Sequence, residues 1–86
     1  MSVRADSANA VVIVDAVLDL EAAQLVREAV LSMDGNVEID LHDARIVEDS
    51  ALAYLVTTLQ SSGTKFTVRG LGWPHVRLLE ILGMKV

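Results

Sequence analysis

One stretch, Asn36 to Leu59 (NVEIDLHDARIVEDSALAYLVTTL), changes its hydrophobic period halfway along, and that switch constrains the fold more than anything else in the chain. Val37, Ile39 and Leu41 alternate with Glu38, Asp40 and His42, the period of two that a strand with one buried face requires. Leu52, Leu55, Val56 and Leu59 then recur at helical spacing, so on a helix they form a single apolar stripe. Gly63 supplies the stop. The reading is a strand over Val37–Leu41, a polar loop, and a helix opening near Asp49. The turn Ile46-Val47-Glu48-Asp49-Ser50 thereby sets acidic and hydroxyl groups at a helix N-terminus, and function is expected there.

The flanking segments also alternate strand and helix, with no internal repeat. Residues 1 to 10 are interrupted by Ser, Asp and Asn and read as a loose segment or a short edge strand, and 11–86 as a single domain. Val11–Val14 is a run of β-branched residues, expected to be a strand buried on both faces. Asp15 to Leu18 is expected to carry the chain out of the sheet, and Asp19 to cap a helix ending near Met33. Its core face would be Ala22, Leu25, Val26, Ala29, Val30 and Met33, with Glu21, Gln24, Arg27 and Glu28 outside. Asp34-Gly35 closes it. Lys65–Arg69 alternates again with Phe66 and Val68 inward, Gly70-Leu71-Gly72 turns, and Pro74 suits the first position of a last helix. That helix carries Val76, Leu78, Leu79, Ile81 and Leu82 and stops at Gly83. Strand and helix alternate three times with short connections, which predicts an α/β domain with a small mixed, largely parallel sheet and right-handed crossovers. Alternation in the second and third strands predicts one sheet face incompletely covered.

Composition closes off several functions. A chain of 86 residues has little volume for a core, but 52% hydrophobic residues, mostly aliphatic, allow one without staples. Cysteine is absent, which excludes disulfides and thiolate metal sites. A net charge of −5 with scattered Lys and Arg argues against nucleic acid, whose backbone demands a basic footprint. The apolar run Val11–Val14 is too short for a signal or a membrane span, so no direct membrane insertion and a cytoplasmic location are expected.

Side chains that carry chemistry are few. Glu48 and Asp49 are adjacent carboxylates, yet acid–base catalysis also needs a pocket and a partner group, whereas helix capping, worth about 1 kcal/mol, accounts for an acid here by itself. His42 and His75 stand 33 positions apart with no carboxylate at ligand spacing, so no metal site is expected and both read as structural. Gly70-x-Gly72 lacks the third glycine of a dinucleotide loop, and Ser50 lacks the Gly-x-Ser-x-Gly setting of a nucleophile elbow. No catalytic residue and no cofactor are expected. Trp73 is either an anchor for the last helix or an interface contact.

With those residues in view, Val37-Glu38-Ile39-Asp40-Leu41, a spacer, and Val47-Glu48-Asp49-Ser50-Ala51-Leu52-Ala53-Tyr54-Leu55 resemble the STAS domain. That family's hallmark is a strand ending in Asp-Leu followed by a helix opening Asp-Ser-Ser-Gly-Leu-Gly or Asp-Thr-Ala-Gly-Leu-Ala. Ala16-Val17-Leu18-Asp19 resembles the Gly-x-Leu-Asp before the family's first helix, and Gly70 to Gly83, with Val76, Leu79 and a closing Leu-Gly-Met, resembles its last strand-to-helix unit. The likeness spans about residues 11 to 84 and is specific in order and spacing.

The resemblance implies the STAS-like, SpoIIAA-like fold and a non-enzymatic protein–protein interaction module of the anti-sigma factor antagonist type, a partner-switching regulator. There a Ser or Thr at the start of the second helix is phosphorylated by an anti-sigma factor with serine kinase activity, which abolishes binding. Aligned on Leu52, Asp49 takes the phospho-acceptor position and cannot form a phosphoester. A shift of one residue makes Ser50 the acceptor instead. The partner-binding surface so implied is Arg45, Glu48, Asp49, Ser50, Ala51 and Tyr54. The family also includes MlaB-like cytoplasmic accessory subunits of ABC lipid transporters, which makes an ABC transporter subunit the alternative partner. A small-molecule-binding domain or enzyme is the third reading, and it would require a convergent polar pocket.

Overall fold

The computed structural model describes residues 3–83. Met84, the last residue of the resemblance, lies outside them. Six strands and three helices follow in the order β1 (Val3–Asp6), β2 (Val11–Val14), β3 (Ala16–Leu18), α1 (Leu20–Leu31), β4 (Val37–Asp40), β5 (Ala44–Val47), α2 (Asp49–Ser61), β6 (Phe66–Arg69) and α3 (Trp73–Ile81). The protein is a small α/β fold with a mixed, largely parallel sheet. β1-β2-β4-β6 form that sheet, antiparallel only between β1 and β2, while β3 and β5 pair in parallel as a second, two-stranded sheet.

The period switch translates directly into packing. Val37, Ile39 and Leu41 point inward at 1% exposure or less, beside Val12 and Val14 of β2 and Val68 of β6. Against them lie Val26 and Val30 of α1 and Ala51, Leu52, Leu55, Val56 and Leu59 of α2. Burial of each large aliphatic side chain contributes roughly 1.5–3 kcal/mol before conformational entropy is subtracted. α1 begins as expected, because the Asp19 carboxylate accepts the Ala22 N–H at 2.9 Å.

The opposite face of the sheet is polar. Arg4, Asp6, Thr67 and Arg69 are exposed on it, and Glu38 and Asp40 half-buried. The register sets Arg69 beside Asp40, and its guanidinium donates to Glu38 Oε1 at 3.1 Å. Glu38, by that hydrogen bond and its charge, holds the Arg69 pKa above its usual value.

Several expectations need correction. Val11–Val14 is buried on one face only: Val11 and Ile13 are half-buried on the polar side, because no helix covers that face. Residues 15–18 leave the four-stranded sheet as expected, but Ala16–Leu18 form a strand of a second sheet. After Asp15 the chain turns through Ala16, at φ +67°, and resumes as β3. The loop before α2 likewise contains β5, whose pairing skips Arg45: Ala16 faces Ala44, but Val17 faces Ile46. Such a bulge turns one side chain out of register. In α1, Ala23 is buried where the stripe had omitted it, and Leu25 is half-buried. Trp73, rather than Pro74, opens α3, and it is 67% exposed, which removes the core-anchor reading.

Candidate functional site

The acidic turn forms the tip of α2. β5 ends at Val47, held because the Glu48 N–H donates to the Leu18 carbonyl at 3.0 Å. Glu48 is the N-cap residue and Asp49 the first helical residue. A glutamate side chain is too long for the short loop a cap requires, and Glu48 makes no side-chain cap bond. Its carboxylate is therefore not consumed in ending the helix. The Asp49 side chain is 79% exposed, at the end where the helix dipole favours negative charge. Capping, the ordinary reason for an acid at a helix start, is thus not what engages Glu48.

The sequence-expected surface divides. Arg45, Glu48, Asp49 and Ser50 are exposed and Tyr54 is half-buried. Ala51 is corrected: it is fully buried. Its position, one before Leu52 and four before Leu55, lies on the apolar stripe, so it belongs to the core and presents nothing to a partner.

What linear spacing concealed is His75. From α3 its Nε2 lies 2.9 Å from the Val47 carbonyl oxygen and 3.1 Å from Asp49 Oδ1. The imidazole is 24% exposed. Twenty-six positions separate His75 from Asp49, and only the return of the chain through β6 brings them together. No motif signals it. His42 stays apart, 81% exposed with Asp43 Oδ1 at 3.3 Å.

Two other features lie away from this tip. Arg27 of α1, expected outside, lines an open groove of about 410 Å³ with Thr57, Thr58 and Ser61 of α2 and Ser62 just past its end. Its Nε is buried with no hydrogen-bond partner among the described residues. Thr57, Thr58 and Ser62 donate their hydroxyl protons to α2 carbonyls at 2.7–2.8 Å, so they offer lone pairs to the groove, as does the negative end of the helix dipole. That arrangement suits the guanidinium and disfavours an added anion. A second groove, about 330 Å³, lies where the turns at Gly35 and Gly63 meet.

Among the described residues no three His, Asp or Glu side chains converge on a metal site, and no helix is long and apolar enough to cross a membrane. No protein-family model matches the chain, and a comparison with curated proteins finds no match.

Proposed function

We propose that the protein is a non-enzymatic docking module of STAS type, in which the tip of α2 carries a fixed negative charge where anti-sigma factor antagonists carry a reversible phosphate. The observation that carries this reading is the pair Glu48 and Asp49: two exposed carboxylates at a helix start, with no side-chain cap bond from the N-cap residue. A second observation supports the resemblance. Ala16 stands where the family's Gly-x-Leu-Asp has glycine, and its φ of +67° is the backbone region glycine favours.

The charge on Asp49 is a permanent, reduced version of a phosphate. A phosphoryl group brings about −1.5 to −2 charges and three acceptor oxygens; a carboxylate brings one charge and two oxygens. Facing a unit charge at 4 Å, each charge is worth about 1 kcal/mol in water and about 4 at a drier interface. A partner adapted to this tip meets it with a cation, and arginine matches a carboxylate best. Arg45, exposed on the β5 bulge, flanks the acids.

Binding of the wild-type chain and of Asp49→Ala, Asp49→Ser and Glu48→Ala to a cognate anti-sigma kinase-type protein tests the reading. Loss of affinity in Asp49→Ala of about tenfold or more, with an unchanged fold by circular dichroism, is expected. Unchanged affinity in both carboxylate variants removes the tip as the docking site. Phosphate found on Ser50 after incubation with the kinase restores the ordinary switch and ends the fixed-charge reading. Stable copurification with a transporter ATPase instead assigns the module to lipid transport.

A further inference from the structure

β1 ends the four-stranded sheet, and among the described residues nothing pairs with its outer side. The ladders fix which backbone groups lie there. In the parallel register of β2 and β4 the Glu38 N–H donates to the Ala10 carbonyl at 2.9 Å. The backbone groups of Val12 therefore face β4, and those of Val11 and Ile13 face β1. Ile13 stands opposite Arg4 and Val11 opposite Asp6, so Arg4 and Asp6 direct their N–H and C=O groups to β2 while those of Val3 and Ala5 point outward. The side chains alternate as well. Arg4 and Asp6 are exposed on the polar face, and Val3 and Ala5 lie on the face that carries the helices. Neither proline nor a bulge blunts this edge.

We propose that the β1 edge pairs with the β1 edge of a second copy of the chain, antiparallel and centred on Ala5, joining two four-stranded sheets into one. Across such a seam outward-pointing residues pair only with outward-pointing residues. Three registers of this kind bring the charged residues of β1 opposite one another. Val3 against Ala5 sets Arg4 against Arg4, and Ala5 against Ser7 sets Asp6 against Asp6. Ala5 against Ala5 sets the Arg4 of each copy against the Asp6 of the other, in the positions where cross-strand side chains lie closest. The charges thus select one register. Both groups keep capacity for it. Arg4 gives its Nε to Asp15 at 3.1 Å, which leaves its terminal nitrogens. Each Asp6 oxygen accepts one bond from Asn9, which leaves it a lone pair. β6, the other edge, has only Arg69 and the flanking Lys65, so no register of β6 against itself opposes unlike charges.

Two four-residue strands make a smaller interface than the roughly 1,200–2,000 Å² of a stable complex, so the pairing is weak and is read at high concentration. Sedimentation equilibrium of the full chain from about 10 μM to about 1 mM is expected to show monomer and dimer, with no larger species. Arg4→Asp and Asp6→Arg each set like charges face to face, and each alone is expected to associate at least about tenfold more weakly, with an unchanged circular dichroism spectrum. Mixed in equal amounts, the two variants regain unlike pairs and dimerise as wild type does. Ala5→Cys, in a chain without cysteine, is expected to give a disulfide-linked dimer on oxidation, and Ala8→Cys, in the turn after β1, is not. If a charge reversal unfolds the chain, Ala5→Pro decides instead, because it removes an outward N–H that the fold does not use; dimerisation unchanged in that variant overturns the pairing. So does a wild type that stays monomeric to about 1 mM, a mixture that associates no better than its components, or open-ended oligomers.

Discussion

Gly70 and His42 meet backbone against backbone. A Cβ placed on Gly70 would lie 2.6 Å from the His42 Cα and closer still to its nitrogen, and Gly70 itself sits at φ +83°. The contact holds the end of β6 to the loop after β4, beside the bond from the Leu41 N–H to the Arg69 carbonyl at 2.9 Å. That loop leads to β5 and so to the α2 tip.

Gly70→Ala is therefore expected to be among the most damaging small changes in the chain. A left-handed φ costs a side chain about 1–2 kcal/mol, and here the backbone of His42 must also move. A loss of about 2–4 kcal/mol, lowering Tm by about 10 °C or more, is expected in thermal unfolding. Gly63→Ala is the control: its φ is +74° with nothing within 4 Å, so only the backbone term of about 1–2 kcal/mol applies. Equal effects of the two substitutions would remove the close approach as the cause.

Ala16 predicts the reverse. It holds φ +67° with an exposed side chain, and glycine adopts that region freely. Ala16→Gly relieves about 1–2 kcal/mol of steric cost and gives back about 0.4–1 kcal/mol through the greater freedom of the unfolded chain. A net gain of up to about 1.6 kcal/mol is expected from urea unfolding. A destabilised variant contradicts the left-handed assignment.

These two positions also show why the fold was only partly legible from sequence. The stripe Leu52, Leu55, Val56, Leu59 and the alternation Val37, Ile39, Leu41 declare themselves because burial acts on one face at a fixed period, and all seven are buried. β3 is three residues long, too short to establish a period, and in β5 the bulge at Arg45 breaks it. Nothing local in Ala16 announces a positive φ. At the site, Asp49 was legible because a helix start is a local signal. His75 was not, because its partners arrive through tertiary folding from 28 and 26 positions away.

The two helix starts give a third prediction. Asp19 caps α1 through a 2.9 Å bond to the Ala22 N–H, so Asp19→Ala is expected to cost about 1 kcal/mol. Glu48 holds the same place on α2 with no such bond, so Glu48→Ala is expected to leave urea unfolding unchanged to within about 0.5 kcal/mol. The contrast separates a structural acid from one free to meet a partner. A Glu48→Ala loss as large as that of Asp19→Ala would mean that Glu48 supports the helix after all.

The turn joining β1 to β2 carries a prediction in pH. Asn9 Nδ2 donates to Asp6 Oδ2 at 2.8 Å, and the Asn9 N–H donates to Oδ1 at 3.3 Å. These bonds, the side-chain one foremost, favour the ionised carboxylate and hold the Asp6 pKa below its usual 3.8. Because the folded value is the lower one, the contribution of the bond is present above about 3.8 and fades as pH falls through the folded value. NMR titration of the Asp6 carboxyl should give a midpoint below 3.8 in wild type and a return toward it in Asn9→Ala. The β1–β2 amide bonds should weaken over the same acid range in wild type alone. An Asp6 midpoint indifferent to Asn9 would show that the turn is held by its backbone geometry and not by the carboxylate.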